Sequence, residues 1–186
     1  MSPTHATLFT LIPSPIGPLL LTSEGEGLSG LFTDGQKDGP VRAGEWREDA
    51  APFTQAVREL DEYFRGRRRL FEMPLATTRG TPFQRDVWRA LRAIPYGATT
   101  SYGEIAQEIE RPKAVRAVGA AVGMNPWGIV VPCHRVVGKA GALTGFAGGL
   151  PRKRWLLEHE GVHVERGKGE SDARARIAGK QLTLEA

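Results

Sequence analysis

Ser101-Tyr102-Gly103-Glu104-Ile105-Ala106-Gln107-Glu108-Ile109-Glu110-Arg111-Pro112-Lys113-Ala114-Val115-Arg116-Ala117-Val118-Gly119-Ala120-Ala121-Val122-Gly123 decides how the second half of this 186-residue chain folds. Ser101 and Glu104 have the spacing of a capping box, so a helix starts there with Ile105, Ala106 and Ile109 inward. Glu110-Arg111 reads as a tight turn, and Pro112 opens a second helix over 113–123. Two short helices joined by a short turn read as a helix-turn-helix. The second helix is nearly all Ala, Val and Gly, and small side chains let a helix come close to whatever it faces. Close helix packing accounts for Gly119, Ala120 and Gly123 on one face. It leaves Arg116, the one long side chain, on the other.

Downstream, Asn125-Pro126-Trp127-Gly128 reads as a turn and Ile129-Val130-Val131 as a short apolar strand. That strand delivers Pro132-Cys133-His134-Arg135-Val136, which holds the chain's single cysteine. A lone cysteine is most simply a small buried hydrophobe. Here His134 and Arg135 put a base and a fixed positive charge beside it, surroundings that favour thiolate over a thiol of pKa roughly 8.5. Val136-Val137 and Ala142-Leu143 flank a hairpin-like connection, and 145–149 is a small-residue loop. A last helix covers 151–158 with Trp155 and Leu156 inward. From about 164 the chain is polar with no periodic core pattern, which predicts a flexible tail over 163–186.

Upstream, 6–12, 19–22 and 28–32 read as an antiparallel meander, with turn clusters at 13–18 and 24–27. Residues 34–50 read as a loop. Residues 52–66 form a helix with Phe53, Ala56, Val57, Leu60 and Phe64 in one stripe. The basic run Arg65, Arg67, Arg68 and Arg69 reads as a solvated helix end. Residues 70–80 look like a strand leading into a linker, with the domain boundary near 79. Thr81 and Gln84 form another capping box, opening a helix that buries Phe83, Val87, Leu91 and Ile94.

Hydrophobic content of 40% and charged content of 25% fit an ordinary globular protein. One cysteine excludes an internal disulfide and any multi-Cys zinc site, so a reducing cytoplasm is the expected compartment. No basic stretch followed by an apolar one suggests a secretory signal, and no apolar run reaches membrane-spanning length. The net charge of +4 is uneven: residues 79–162 carry 12 Lys/Arg against 6 Asp/Glu, whereas 1–78 carry 8 against 11. A basic block beside a helix pair is either a solvated surface or the footprint of a polyanion.

Residues 81–161 resemble the O6-alkylguanine-DNA alkyltransferases, also called methylated-DNA–protein-cysteine methyltransferases. The resemblance rests on 129–137 around Pro132-Cys133-His134-Arg135, on Ser101-Tyr102-Gly103, Arg116-Ala117-Val118-Gly119, Asn125-Pro126, Gly148-Gly149-Leu150 and 156–161, all in order. The first 78 residues match more loosely, through Ser14-Pro15-Ile16-Gly17 and the strand-rich start. The implied fold is α+β. An N-terminal antiparallel, ribonuclease H-like sheet with a helix over 1–78 acts as a scaffold. A mainly helical domain over 79–162 contains a winged helix-turn-helix and the alkyl acceptor.

The resemblance implies direct repair of double-stranded DNA carrying alkylated bases. Cys133 would take the alkyl group from O6 of a flipped guanine, with O4-alkylthymine a second candidate substrate, and would not be regenerated. No cofactor or metal is implied, and the expected protein is a monomer. His134 would take the thiol proton through a water, Glu160 would orient His134, and Tyr102 would donate to the departing base. His159 is assigned no role. Arg116 would fill the gap left by the extruded base, and Ala114, Val115 and Ala117 would line the minor groove around it. Asn125 and Arg135 would face DNA or stabilise the motif. Val136, Phe146, Ala147 and Gly148 would form the base pocket. The family commonly has Tyr and Ser where this chain has Phe146 and Ala147, so side-chain hydroxyl contacts are lost there and backbone donors remain. Two other readings compete: a non-catalytic sensor of alkylated DNA, against which Cys133 argues, and a Cys-His-Glu thiol hydrolase, which leaves Arg116 on its helix unexplained.

Overall fold

The computed structural model describes residues 6–33, 35–36, 39–40, 46–76, 79–165 and 176–177. The chain divides into two compact units, Met1–Arg79 with Pro126–Gly128, and Gly80–Asn125 with Ile129–Ala186.

The first unit is built on a four-stranded sheet in the order β3-β2-β1-β4. Strands β1 (Leu8–Ile12), β2 (Leu19–Ser23) and β3 (Leu28–Thr33) form the antiparallel meander expected from the sequence. The sheet as a whole is mixed, because β4 (Arg47–Glu48) runs parallel to β1 inside the segment read as a loop. Two exposed charged residues carry no hydrophobic signal, and β4 pairs with β1 through backbone bonds such as Arg47 N–H to the Thr7 carbonyl. Residues 70–80 do not form a strand: Leu75 makes one isolated bridge to Leu28, and 77–78 lie outside the described residues.

A 3-10 turn (Ala51–Phe53) leads into α1 (Thr54–Phe64). The buried face of α1 carries Ala56, Glu59, Leu60 and Tyr63, so Tyr63 takes the inward place expected of Phe64. Glu59 is fully buried and accepts from the backbone N–H groups of Glu72 and Met73 at 2.8 and 3.2 Å and from Gln55 at 2.7 Å. Each of those amides, if left unsatisfied, would cost about 1–3 kcal/mol. Arg68, read as solvated, bridges Glu62 and Glu72 in the same cluster.

In the second unit, α2 (Pro82–Ala93) and α3 (Tyr102–Glu108) both start at complete capping boxes, on Thr81/Gln84 and Ser101/Glu104. The two-residue β5 (Thr100–Ser101) immediately precedes α3. α4 (Val115–Gly123) begins two residues later than expected, because Pro112 and Lys113 belong to a turn closed by Ala114 N–H to the Arg111 carbonyl. Val118, Ala121 and Val122 face inward, whereas Val115, Arg116, Ala117, Ala120 and Gly123 are exposed, so Ala120 and Gly123 share solvent with Arg116 and do not form the packed face expected opposite it. Ile129-Val130-Val131 is a turn and not a strand, with Ile129 in the left-handed region at φ 69°. A short buried apolar run reads alike for either conformation.

After a 3-10 turn (Cys133–Arg135), β6 (Val136–Val137) pairs in parallel with β5. Gly138 N–H closes a tight turn on the Ala142 carbonyl around a second 3-10 turn (Lys139–Gly141). α5 (Leu150–His159) buries Lys153, Leu156 and Leu157, whereas Trp155 is half-buried and stacks on His159. β7 (Val164–Glu165) pairs antiparallel with β8 (Arg176–Ile177), so the expected flexible tail contains paired backbone; its other residues, 166–175 and 178–186, lie outside the described residues. Among the described residues, no helix is long and apolar enough to cross a membrane.

Candidate active site and DNA-facing helix

Cys133 opens the 3-10 turn behind Pro132 and is buried, 9% exposed. Its N–H donates to the Val131 carbonyl at 2.8 Å, and the Asn125 amide donates to the same carbonyl at 2.7 Å. Asn125 thus ties the end of α4 to the residue two before the sulfur. Burial pushes the Cys133 thiol up; the Asn125 side chain, the Lys153 ammonium and the backbone N–H groups of Cys133 and His134 pull against it.

His134 and Glu160 lie 26 residues apart and meet in the core, Nε2 to Oε1 at 2.9 Å, both fully buried in their side chains. Arg135 grips the same carboxylate, Nε to Oε2 at 2.8 Å and Nη2 to Oε1 at 2.9 Å, while Nη1 donates to the Ile94 carbonyl at 2.6 Å. Gly97 N–H reaches Glu160 Oε2 at 3.3 Å. Burial alone would raise the Glu160 carboxyl; the charges and hydrogen bonds of His134 and Arg135 outweigh it and hold the group well below the ordinary carboxylate range. Burial holds His134 below its ordinary value against the pull of Glu160. Among the described residues, His134 Nδ1 is the buried side-chain polar atom left without a protein partner.

Tyr102, the first residue of α3, is half-buried, and its hydroxyl donates to the Thr144 and Gly145 carbonyls at 3.5 and 3.4 Å. Burial raises its phenol, the Thr144 bond opposing, so it remains an O–H donor at neutral pH. Gly145 has φ 50°, and a Cβ there would stand 3.0 Å from the Tyr102 hydroxyl. Phe146 and Ala147 are half-buried and Gly148 is buried in the same loop. Val136 is different: its side chain is fully buried, and its carbonyl is the atom that meets other groups of the site.

That other group is Lys153, which sequence reading missed. It is 0% exposed, and its ammonium donates to the carbonyls of Val136 at 2.5 Å, Thr144 at 2.6 Å and Gly145 at 3.5 Å. Burial pulls it down to about 8, with Cys133 pulling the other way. In the run Arg152-Lys153-Arg154 it reads as one more solvated cation. The available signal was its spacing, three and four residues before Leu156 and Leu157 on the buried face.

Asn125 and Arg135, read as DNA-facing or motif-stabilising, both bond within the site itself. Both are 5% exposed and fully engaged in the turn, since an Arg bonded to Glu160 and Ile94 in the core has no reach to solvent. The motif-stabilising alternative fits their geometry. Of the residues read as lining the minor groove, Val115, Arg116 and Ala117 on α4 are exposed and Ala114 is half-buried at the N-cap. Arg116 makes no hydrogen bond or ion pair among the described residues.

The family model for the DNA-binding domain of 6-O-methylguanine DNA methyltransferase matches residues 82–162, and the model for its ribonuclease-like domain matches 7–77. The methylated-DNA–protein-cysteine methyltransferase of Mycobacterium bovis is 51% identical over 152 residues, 82% of this chain and 91% of that protein. Its Methanosarcina acetivorans counterpart is 49% identical over 154 residues, covering 82% of this chain and 97% of that protein. The crystal structure of Mycobacterium tuberculosis OGT in complex with DNA superposes with a TM-score of 0.79 at 50% identity, covering 83% of this chain and 93% of that one. With both family domains matched in order and relatives about half identical over most of the chain, this chain belongs to the methylated-DNA–protein-cysteine methyltransferases.

Proposed function

We propose that the protein repairs double-stranded DNA by moving the alkyl group of O6-alkylguanine onto Cys133, once per molecule. The observation that carries this reading is the single buried cysteine set directly before a histidine whose Nε2 is committed to Glu160 and whose Nδ1 has no protein partner.

The thiol is a poor nucleophile as it rests, because burial favours its neutral form. Its proton passes through a water to His134 Nδ1, leaving a soft thiolate suited to a saturated carbon. The sulfur attacks the alkyl carbon, the carbon–O6 bond breaks, and its electron pair stays on the base. Tyr102 donates toward the departing guanine and limits the charge it must carry. Lys153 fixes the Val136, Thr144 and Gly145 carbonyls around the base and adds a positive charge near the thiolate. The product thioether is stable, and no second thiol stands by to accept the alkyl group, so the reaction ends there.

A base in a duplex must leave the stack before any of this occurs. The exposed face of α4, with small residues around Arg116, suits close approach to the minor groove and insertion of one side chain into the gap. Surface cations of the second unit supply phosphate contacts, which makes affinity fall with salt. The protein acts as a monomer in a reducing cytoplasm, where its one thiol stays reduced.

The test is to incubate the protein with duplex DNA carrying labelled O6-methylguanine and count label per protein. About one equivalent on Cys133 is expected, with none on Cys133→Ala, which still binds the duplex. A parallel duplex with O4-methylthymine reads out the second substrate. Binding without transfer would mark a lesion sensor, and turnover of a thioester without transfer would mark a hydrolase.

A further inference from the structure

Glu160 receives more than the histidine it orients. Arg135 occupies both carboxylate oxygens with a two-pronged fork, and the Gly97 amide lies on Oε2. The remaining Arg135 nitrogen is anchored on the Ile94 carbonyl, at the end of α2. Gly97 has φ 76°, and a Cβ there would stand 2.9 Å from the Glu160 carbonyl oxygen, so the backbone approach needs glycine. The end of α2 therefore grips the carboxylate through Arg135 and Gly97.

Resting on the alkyl-transfer reading above, the geometry points to Arg135 and Gly97 as positioning residues that decide which nitrogen of His134 is the base. A buried Glu–His pair has two neutral-histidine arrangements. In one, an ionised Glu160 accepts from Nε2–H and Nδ1 carries the lone pair. In the other, a protonated Glu160 donates to Nε2, the proton sits on Nδ1, and no lone pair is left to take the Cys133 proton. Arg135 is a donor only and remains charged, so it stabilises an acceptor-only carboxylate and disfavours a protonated one. Gly97 N–H adds a third kind of donor to the same oxygens. With the Arg135 and Gly97 groups all donors, the ionised carboxylate accepts from Nε2–H and Nδ1 is bare, which is the atom found without a protein partner. The ionisable groups facing His134 are Glu160 and Lys153 from α5 and its end, and Cys133 and Arg135 from its own turn; the Tyr96 ring lies 5.8 Å from the Arg135 guanidinium carbon.

Nitrogen-15 spectra of the histidine ring test this, with His134 assigned by its absence from a His134→Gln variant. The unaltered protein near neutral pH is expected to show Nε2–H with a bare Nδ1. A predominant Nδ1–H form would overturn the proposal without any variant and without touching the alkyl-transfer assignment, which the label count decides separately. Arg135→Gln is expected to move His134 toward Nδ1–H and to slow transfer by about 10²-fold, the lower end of what a general base contributes. The acid limb of its rate profile moves to higher pH, because Glu160 then takes up a proton more easily. Arg135→Lys, which keeps the charge but loses the fork, lies between. If folded Arg135→Gln keeps the Nε2–H form and the original acid limb while losing only thermal stability, Arg135 is a structural residue and the proposal fails.

Discussion

At the residue scale, Glu160 shows how much chemistry one buried carboxylate gathers. Its folded-state pKa lies below the unfolded value, so the stability it contributes is complete above the unfolded value near 4.5 and is lost as pH falls through the folded one. Glu160→Gln is expected to cost about 3–5 kcal/mol at pH 7, because it leaves Arg135 buried without its counter-charge. Urea midpoints at pH 7 and at steps below pH 4.5 should show that loss shrinking as the unaltered protein gives up the same contribution. Cys133 and His134 were legible, since a lone cysteine beside a base stands out in sequence. Glu160 was not derivable from spacing, being 26 residues from its partner, and came through the resemblance. The burial of Arg135 and Lys153 was hidden for a common reason: charged side chains are usually at the surface, and only packing reveals the carbonyls and carboxylate that allow them to be buried.

At the element scale, α4 presents one face to solvent, the face from which the proposed base extrusion would act. Arg116→Ala is expected to weaken repair of duplex DNA much more than reaction with a free-base analogue; equal losses on both substrates would sink the base-extrusion role. Ala120 lies one turn further along the same exposed face. Ala120→Glu places a negative charge toward the phosphates and should reduce duplex affinity by about tenfold or more, with melting temperature and free-base reaction little changed. The starts of α2 and α3 were readable because their signals are local: both capping boxes formed as the spacing implied. Elements that depend on distant partners were not. β4 is two exposed charged residues whose backbone finds β1, and the inward Glu59 of α1 is invisible to any hydrophobic pattern. The 129–131 run was given the wrong conformation because burial, which it has, does not distinguish a strand from a turn.

At the scale of the whole molecule, sequence order and folding unit part company at Pro126–Gly128. Leu31 N–H donates to the Pro126 carbonyl at 2.8 Å, Gly128 N–H to the Leu31 carbonyl at 3.1 Å, and the Trp127 indole to the Leu28 carbonyl at 2.7 Å across 99 residues of sequence. A boundary near 79 describes the chain but cannot foresee this return. A fragment of residues 80–186 would lose all three bonds and expose Trp127, so its denaturant midpoint should fall below that of the full chain, each bond contributing about 1 kcal/mol. The buried thiol has a consequence for the protein's usable lifetime. Each molecule holds one thiol, and burial favours its protonated form. Iodoacetamide should therefore label the folded protein far more slowly than the urea-unfolded chain. If transfer is single-use as proposed, the same feature would turn stray electrophiles away, so a population of these molecules would keep a repair capacity of one lesion each until damaged DNA draws it down.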